Sequence, residues 1–116
     1  MPAPMVAGRP LAEVKAGLFR SLAHPARVRI LEVLAIGERS VTELQPIIGL
    51  EASHLSQQLG ILRRAGVVVA RREGAGVIYG LRDPEMVTLL ASARRLLVNA
   101  LSESQELLAA LEAEPG

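Results

Sequence analysis

The chain has 116 residues, half of them hydrophobic, which suits one small globular domain that burial against a second subunit would help to stabilise. It has no cysteine, so disulfides and thiolate metal sites are excluded, and no apolar run approaches the roughly 18 residues of a membrane span. The net charge of +1 hides an asymmetry: residues 1–82 carry 11 Lys+Arg against 6 Asp+Glu, or +5, while residues 83–116 carry 2 against 6, or −4. The first of these halves is the one suited to neutralising phosphates. The first residues lack a charged region followed by an apolar core, so a cytoplasmic location with no membrane partner is expected.

Met1 to Pro10 holds three prolines, one glycine and no periodicity, and is expected to be a disordered arm. Leu11, Val14, Leu18, Phe19 and Leu22 then form a helical stripe that ends around His24-Pro25. Proline is welcome in a first turn and disfavours helix in the residue before it, so His24 marks a boundary and Pro25 opens a second helix to about Ala35. Val28, Leu31 and Leu34 are its expected buried face. Gly37 closes it, and Ser40 with Glu43 three residues on has the spacing of a capping box for a third, short helix over Val41 to Ile48 that carries Pro46.

Gly49 separates that helix from a fourth, as in a helix-turn-helix. Leu55, Leu59 and Leu62 recur at i, i+4 and i+7 and stack on one face, which leaves Ser53, Gln57, Gly60 and Arg64 on the opposite one. Arg63-Arg64-Ala65-Gly66 is a stop signal: cations suit the negative end of the helix dipole, and glycine can take the left-handed C′ conformation. Val67-Val68-Val69 and Val77-Ile78-Tyr79 flank a basic, glycine-bearing segment, Arg71 to Gly76, and predict a two-stranded hairpin, or wing.

Asp83-Pro84-Glu85 combines an N-cap, a first-turn proline and a dipole-complementing acid, so a last helix should start here and run to about Ala113. Met86, Leu90, Ala93, Leu97 and Ala100 follow one seam, widened by Leu89, Leu96, Leu107, Leu108 and Leu111. A helix so apolar asks for a facing helix from a second subunit. The expected architecture is mainly α (α+β): a winged helix-turn-helix of about five helices and a two-stranded wing, with residues 11–113 as one domain and 114–116 as a tail. The candidate subunit contacts are Leu11, Val14 and Leu18 on the first helix with Leu90, Ala93 and Leu97 on the last.

The run Leu22-Ala23-His24-Pro25-Ala26-Arg27, the segment from Leu55 to Val68, and the wing ending in Tyr79-Gly80-Leu81 together resemble the ArsR/SmtB family of bacterial winged-helix regulators, over roughly residues 11–100. The resemblance implies a homodimer held by the first and last helices, palindromic double-stranded operator DNA and, in many members, a metal that alters DNA affinity. The chain departs from the family in its metal sites. Where thiol-bearing members carry Cys-x-Cys-x-x-Cys, it has Ser40, Thr42 and Gln45. The family's second site, between paired last helices, finds Asp83 and Glu85 for its first pair of ligands, but Leu96 and Asn99 for the other two. Capping and dipole compensation account for Asp83 and Glu85. The reading is therefore a regulator with no metal and no cofactor. A nickel or zinc regulator built from His24, His54 and carboxylates is the alternative, without recognisable spacing.

The DNA contacts can be ranked by chemistry. Gln57 can pair a donor and an acceptor with adenine in the major groove, and Ser53 and Ser56 can bond base edges or phosphates. His54 lies on the flank of the same helix, within reach of groove or phosphate. Gln58 borders the buried face and either reaches the DNA backbone or packs. Thr42 and Arg64 suit phosphates, with a solvated helix-terminal charge as the plain alternative for Arg64. Arg71 and Arg72 are both candidates, but successive strand residues face opposite ways; Arg72, nearer the tip, suits the minor groove or its phosphates. A dimeric interaction module that has lost DNA binding is the second function class, and an effector or partner protein is left open. An enzyme is the weakest: no cysteine nucleophile, no carboxylate partner for either histidine and no phosphate-cradling glycine motif is in view.

Overall fold

The computed structural model describes residues 5–102 and 104–115. Met1 to Pro4, part of the expected arm, lie outside them. The rest of that arm departs from expectation: Met5–Val6 (β1) and Arg9–Pro10 (β2) pair antiparallel. Ala7 and Gly8 join them at φ of 49° and 76°. Positive φ at both loop residues is what a two-residue I′ turn requires.

Four helices follow: α1 (Leu11–Leu22), α2 (Pro25–Ile36), α3 (Val41–Ile48) and α4 (Ala52–Arg64). The expected boundary at His24 is an N-cap, its Nδ1 accepting from the Ala26 N–H at 3.0 Å, with Pro25 in the first turn. The α4 stop signal closes as a Schellman motif. Gly66 takes φ 76°, its N–H donates to the Arg63 carbonyl, and the Val67 N–H reaches back to Leu62. The wing is β4 (Val68–Glu73) and β5 (Gly76–Leu81), and Gly74 takes φ 61° at the first position of its two-residue loop. A short strand not foreseen, β3 (Arg39–Ser40), pairs with β5, so the sheet order is β3-β5-β4.

The core lies between α2 and α4. Leu55, Leu59 and Leu62 of α4 are buried as their spacing predicts, against Ile30, Leu31, Val33 and Leu34 of α2, Leu44 of α3, Val67, Val68 and Met86. The expected buried face of α2 needs one correction: Val28 is 37% exposed, and Ile30 and Val33 are inside with Leu31 and Leu34. With α4 on one side and the sheet and α5 on others, α2 buries a broader arc than a single stripe.

The last helix also differs. α5 (Glu85–Ala100) ends and α6 (Gln105–Ala113) begins after a tight turn, in place of one helix to Ala113. Asn99, Ser102 and Ser104 crowd this break, and their polar side chains compete with the helix for backbone groups; the Ser102 hydroxyl donates to the Asn99 carbonyl at 3.3 Å. α6 folds back along α5, and Arg94 donates to the Leu111 carbonyl at 2.6 Å. No helix among the described residues is long and apolar enough to cross a membrane.

The capping box of α3 is complete. The Ser40 hydroxyl accepts from the Glu43 N–H at 3.1 Å and the Glu43 carboxylate accepts from the Ser40 N–H at 2.9 Å. These bonds hold the Glu43 carboxyl below its ordinary value, the backbone bond foremost. Ser40→Ala is expected to lower stability by about 1 kcal/mol. Because the folded-state value is depressed, this carboxylate's contribution is present above 4.5 and is lost as pH falls through the lower folded value. Thermal denaturation of the wild-type protein and of Glu43→Gln should therefore differ at neutral pH and converge on acidification; a difference that grows with acid would contradict this.

Candidate nucleic-acid interface

Two surfaces of the chain are polar, exposed and carried by rigid elements: the outer face of α4 and the wing. Because Leu55, Leu59 and Leu62 lock the inner face of α4, Ser53, His54, Ser56 and Gln57 project into solvent. Arg64 joins the same row, its guanidinium lying over Gly60, where an added Cβ would come within 3.1 Å of Nη1. Glu51 at the N-cap makes no side-chain bond, so the first N–H groups of α4 point outward uncapped by it, at the positive end of the helix dipole. Thr42 is exposed in the first turn of α3, across the three-residue turn Gly49-Leu50-Glu51.

Gln58 is the member of the set whose surroundings differ most from its neighbours'. It is half-buried, and its Oε1 accepts from Arg27 Nη1 at 2.9 Å, so of the two roles open to it, packing against the protein is the one observed.

The two wing arginines part as strand alternation requires. Arg71 faces the side of Glu73 and is held by two carboxylates, Glu38 and Glu73, the latter at 2.8 Å. These bonds, that to Glu38 first, raise its already high pKa. Gly80 makes room for this clasp: a Cβ there would sit 3.1 Å from the Glu38 carboxylate. Arg71 thereby pins β4 to the segment after α2. Arg72, on the other face, is exposed and has no ion pair among the described residues. Sequence reasoning missed Glu38, and only its place beside β3, itself too short to foresee, could have signalled it.

The candidate subunit contacts fall into two groups. Leu11 and Val14 are half-buried, while Leu18 and its neighbour Phe19 are exposed, the latter by 60%. Leu18 shares a cleft of about 500 Å³ with Leu89, Ser92 and Glu85 of α5. Leu90 instead packs on the chain's own core, and with Ala93 and Leu97 it lines a cleft next to Leu111 of α6. Leu96, at 70% exposure, lies four and seven residues past Ser92 and Leu89, and so on the face of α5 that borders the cleft with Leu18.

Among the described residues no group of three His, Cys, Asp or Glu is placed to hold a metal. Asp83 Oδ1 accepts from the Glu85 N–H at 2.9 Å, from one position further out than expected, since α5 starts at Glu85 and Pro84, in place of Asp83, is its N-cap.

Comparison with known proteins agrees with this geometry. The sequence model of the bacterial regulatory protein, arsR family, matches residues 24–69, from the cap of α2 into β4. An HTH-type transcriptional regulator of Mycobacterium tuberculosis, Rv0081, is 53% identical over 105 residues, covering 90% of this chain and 92% of that protein. Its crystal structure superposes with a TM-score of 0.78 over 83% of this chain and 97% of that one. The transcriptional repressor BigR of Xylella fastidiosa is 36% identical with a TM-score of 0.67, over 77% of this chain and 87% of that one. The homodimeric winged helix-turn-helix DNA-binding domain Mb0332 of Mycobacterium bovis is 29% identical with a TM-score of 0.73, over 84% and 95%. With its winged helix-turn-helix in place, the chain belongs to the arsR family of bacterial regulatory proteins and is a DNA-binding transcriptional regulator, not an enzyme.

Proposed function

We propose that the chain acts in the cytoplasm as a homodimer that reads a palindromic operator, with α4 in the major groove and the wing on the adjacent phosphates. The observation that carries this reading is the outer face of α4: Ser53, Ser56 and Gln57 are exposed together on a helix whose other face is fully buried. An amide able to donate and accept at once, flanked by hydroxyls, is base-reading chemistry. Thr42, His54, Arg64 and Arg72 surround it as phosphate contacts, which position the head without reading sequence. Arg71, clasped by Glu38 and Glu73, shapes the wing, and Gln58 supports α4.

The subunit face is α1 with the adjoining side of α5: Leu11, Val14, Leu18 and Phe19 with Leu89, Leu96 and the edge residues Ala93 and Leu97. Support comes from the exposure of Phe19 and Leu96 and from the flat form of the molecule, 52 × 45 × 23 Å, which leaves these helices uncovered on one side. The homodimeric relative named above has the same fold.

Two substitutions test the division of labour. Gln57→Ala should cost roughly 1–3 kcal/mol on the specific duplex and far less on random DNA. Arg72→Ala should weaken both alike and make the salt dependence shallower by about 1 for each subunit. Fluorescence anisotropy across a salt series measures both. An unchanged ratio of specific to random binding in Gln57→Ala, or a collapse of that ratio in Arg72→Ala with random binding intact, contradicts the assignment.

A further inference from the structure

Arg27 lies at the corner between α1 and α2, away from both the wing and the outer face of α4, yet its guanidinium makes three bonds to two other elements. Its Nε donates to the Ser21 carbonyl at 2.8 Å and its Nη2 to the Arg20 carbonyl at 3.3 Å, which also accepts the Ala23 N–H, so it occupies the negative end of α1. Its Nη1 donates to Gln58 Oε1 on α4 at 2.9 Å. Gln58 adjoins Gln57, the base-reading residue proposed above.

α1 also packs directly on α4. Apolar packing is non-directional and tolerates small slides, whereas a planar guanidinium with donors in a rigid fork accepts one geometry. A half-buried fork that holds α1 through two carbonyls and α4 through one amide therefore fixes the angle between them. Lysine, a point charge on a flexible stem, could sit at the α1 terminus but could not hold both helices in one plane.

We propose that Arg27 is a positioning residue for DNA recognition: by tying the end of α1 to Gln58, it sets the angle of the recognition helix against the subunit face, and so the spacing of the two reading heads. The proposal rests on the dimeric, operator-reading function above. It makes Arg27 a determinant of which half-site spacing is bound, with no contact to DNA of its own. Gln58 then acts on specificity from the protein side of its helix.

The test uses a duplex that the full-length wild-type protein enriches from a random-sequence pool, the same duplex with one base pair inserted between the half-sites, and a random duplex. One inserted base pair turns the half-sites by about 35°, since a helical turn spans about 10 base pairs. Arg27→Ala and Arg27→Lys should each lower the preference for the original spacing by about tenfold, within the range of measured couplings between contacting residues. Random-duplex affinity should stay within about twofold, because no phosphate contact is lost. Gln58→Ala should lower the spacing preference similarly, and Arg27→Ala with Gln58→Ala together should lower it no further. Arg27→Lys keeps the stem and charge, which guards the test against loss of fold. Wild-type spacing preference in Arg27→Lys, losses that multiply in the double variant, or an equal loss on random DNA would each overturn the proposal. If the wild-type protein enriches no duplex, the operator-reading function itself fails and the proposal with it; enrichment with an unaltered preference in the variants overturns Arg27 alone.

Discussion

Replacing Leu59 by alanine is expected to lower the unfolding free energy by about 2–5 kcal/mol, the range for truncating a buried leucine. Leu59 is 1% exposed and sits between Leu55 and Leu62, both fully buried, so its loss leaves a cavity that helices on several sides cannot collapse to fill. Domains of this kind hold only about 5–15 kcal/mol in total, so the loss takes a large share. Thermal denaturation at fixed protein concentration should show a midpoint lower by about 8 °C or more. Gln57→Ala, two residues away on the outer face, should leave the midpoint almost unmoved. This pair separates the two faces of one helix: one supports the fold, the other is the face proposed to read DNA. Equal effects of the two substitutions on stability would show that the inner face of α4 is not the anchored one.

Leu96→Glu is expected to abolish the dimer while sparing the fold. Leu96 is 70% exposed in the single chain, so a carboxylate there meets water until a second copy covers it. In a two-fold symmetric interface the substitution enters twice, and each unpaired carboxylate taken out of water costs several kcal/mol. Dimerisation should weaken by at least about a hundredfold, and binding to a two-half-site duplex should fall with it, because each head then binds alone. Light scattering at micromolar concentrations should give twice the 12.4 kDa chain mass for the wild-type protein and the single mass for the variant, with the thermal midpoint of the monomer retained. A monomeric wild-type protein, or a dimeric variant, would contradict the assigned face.

Much of the fold was legible because it depends on local signals. The leucine spacing in α4, the glycine at position 66, the Ser40–Glu43 box and the His24-Pro25 boundary each act within a few residues, and each is found as read. The departures arise where distant residues decide. Val28 is exposed because the faces of α2 are apportioned among α4, the sheet and α5, and sequence periodicity carries no record of those neighbours. The split of α5 from α6 turns on weak preferences of Asn99, Ser102 and Ser104 summed over one turn, against an apolar pattern that continues through them. β1 and β2 are two residues each, too short to leave an alternation.

The site divides in the same way. The exposure of Ser53, His54, Ser56 and Gln57 follows from helix geometry alone, and so does the parting of Arg71 from Arg72. What engages Arg71 and Gln58 does not, because Glu38 and Arg27 are 33 and 31 residues away in the chain. Sequence left Gln58 either to reach the DNA backbone or to pack, and of the two wing arginines assigned the DNA side to Arg72 without saying what Arg71 meets. The structure shows both side chains bonded to other parts of the protein, Gln58 to Arg27 and Arg71 to Glu38 and Glu73.

The most direct test of the central claim is to enrich duplexes from a random-sequence pool with the full-length protein and measure the stoichiometry of the complex on the winning sequence. The expected result is a palindrome with half-sites about one or two helical turns apart, each turn spanning roughly 34 Å, bound by two chains and preferred over random DNA at physiological salt by about a thousandfold or more. A pool that returns no preferred sequence, or a single half-site bound by one chain, would contradict it.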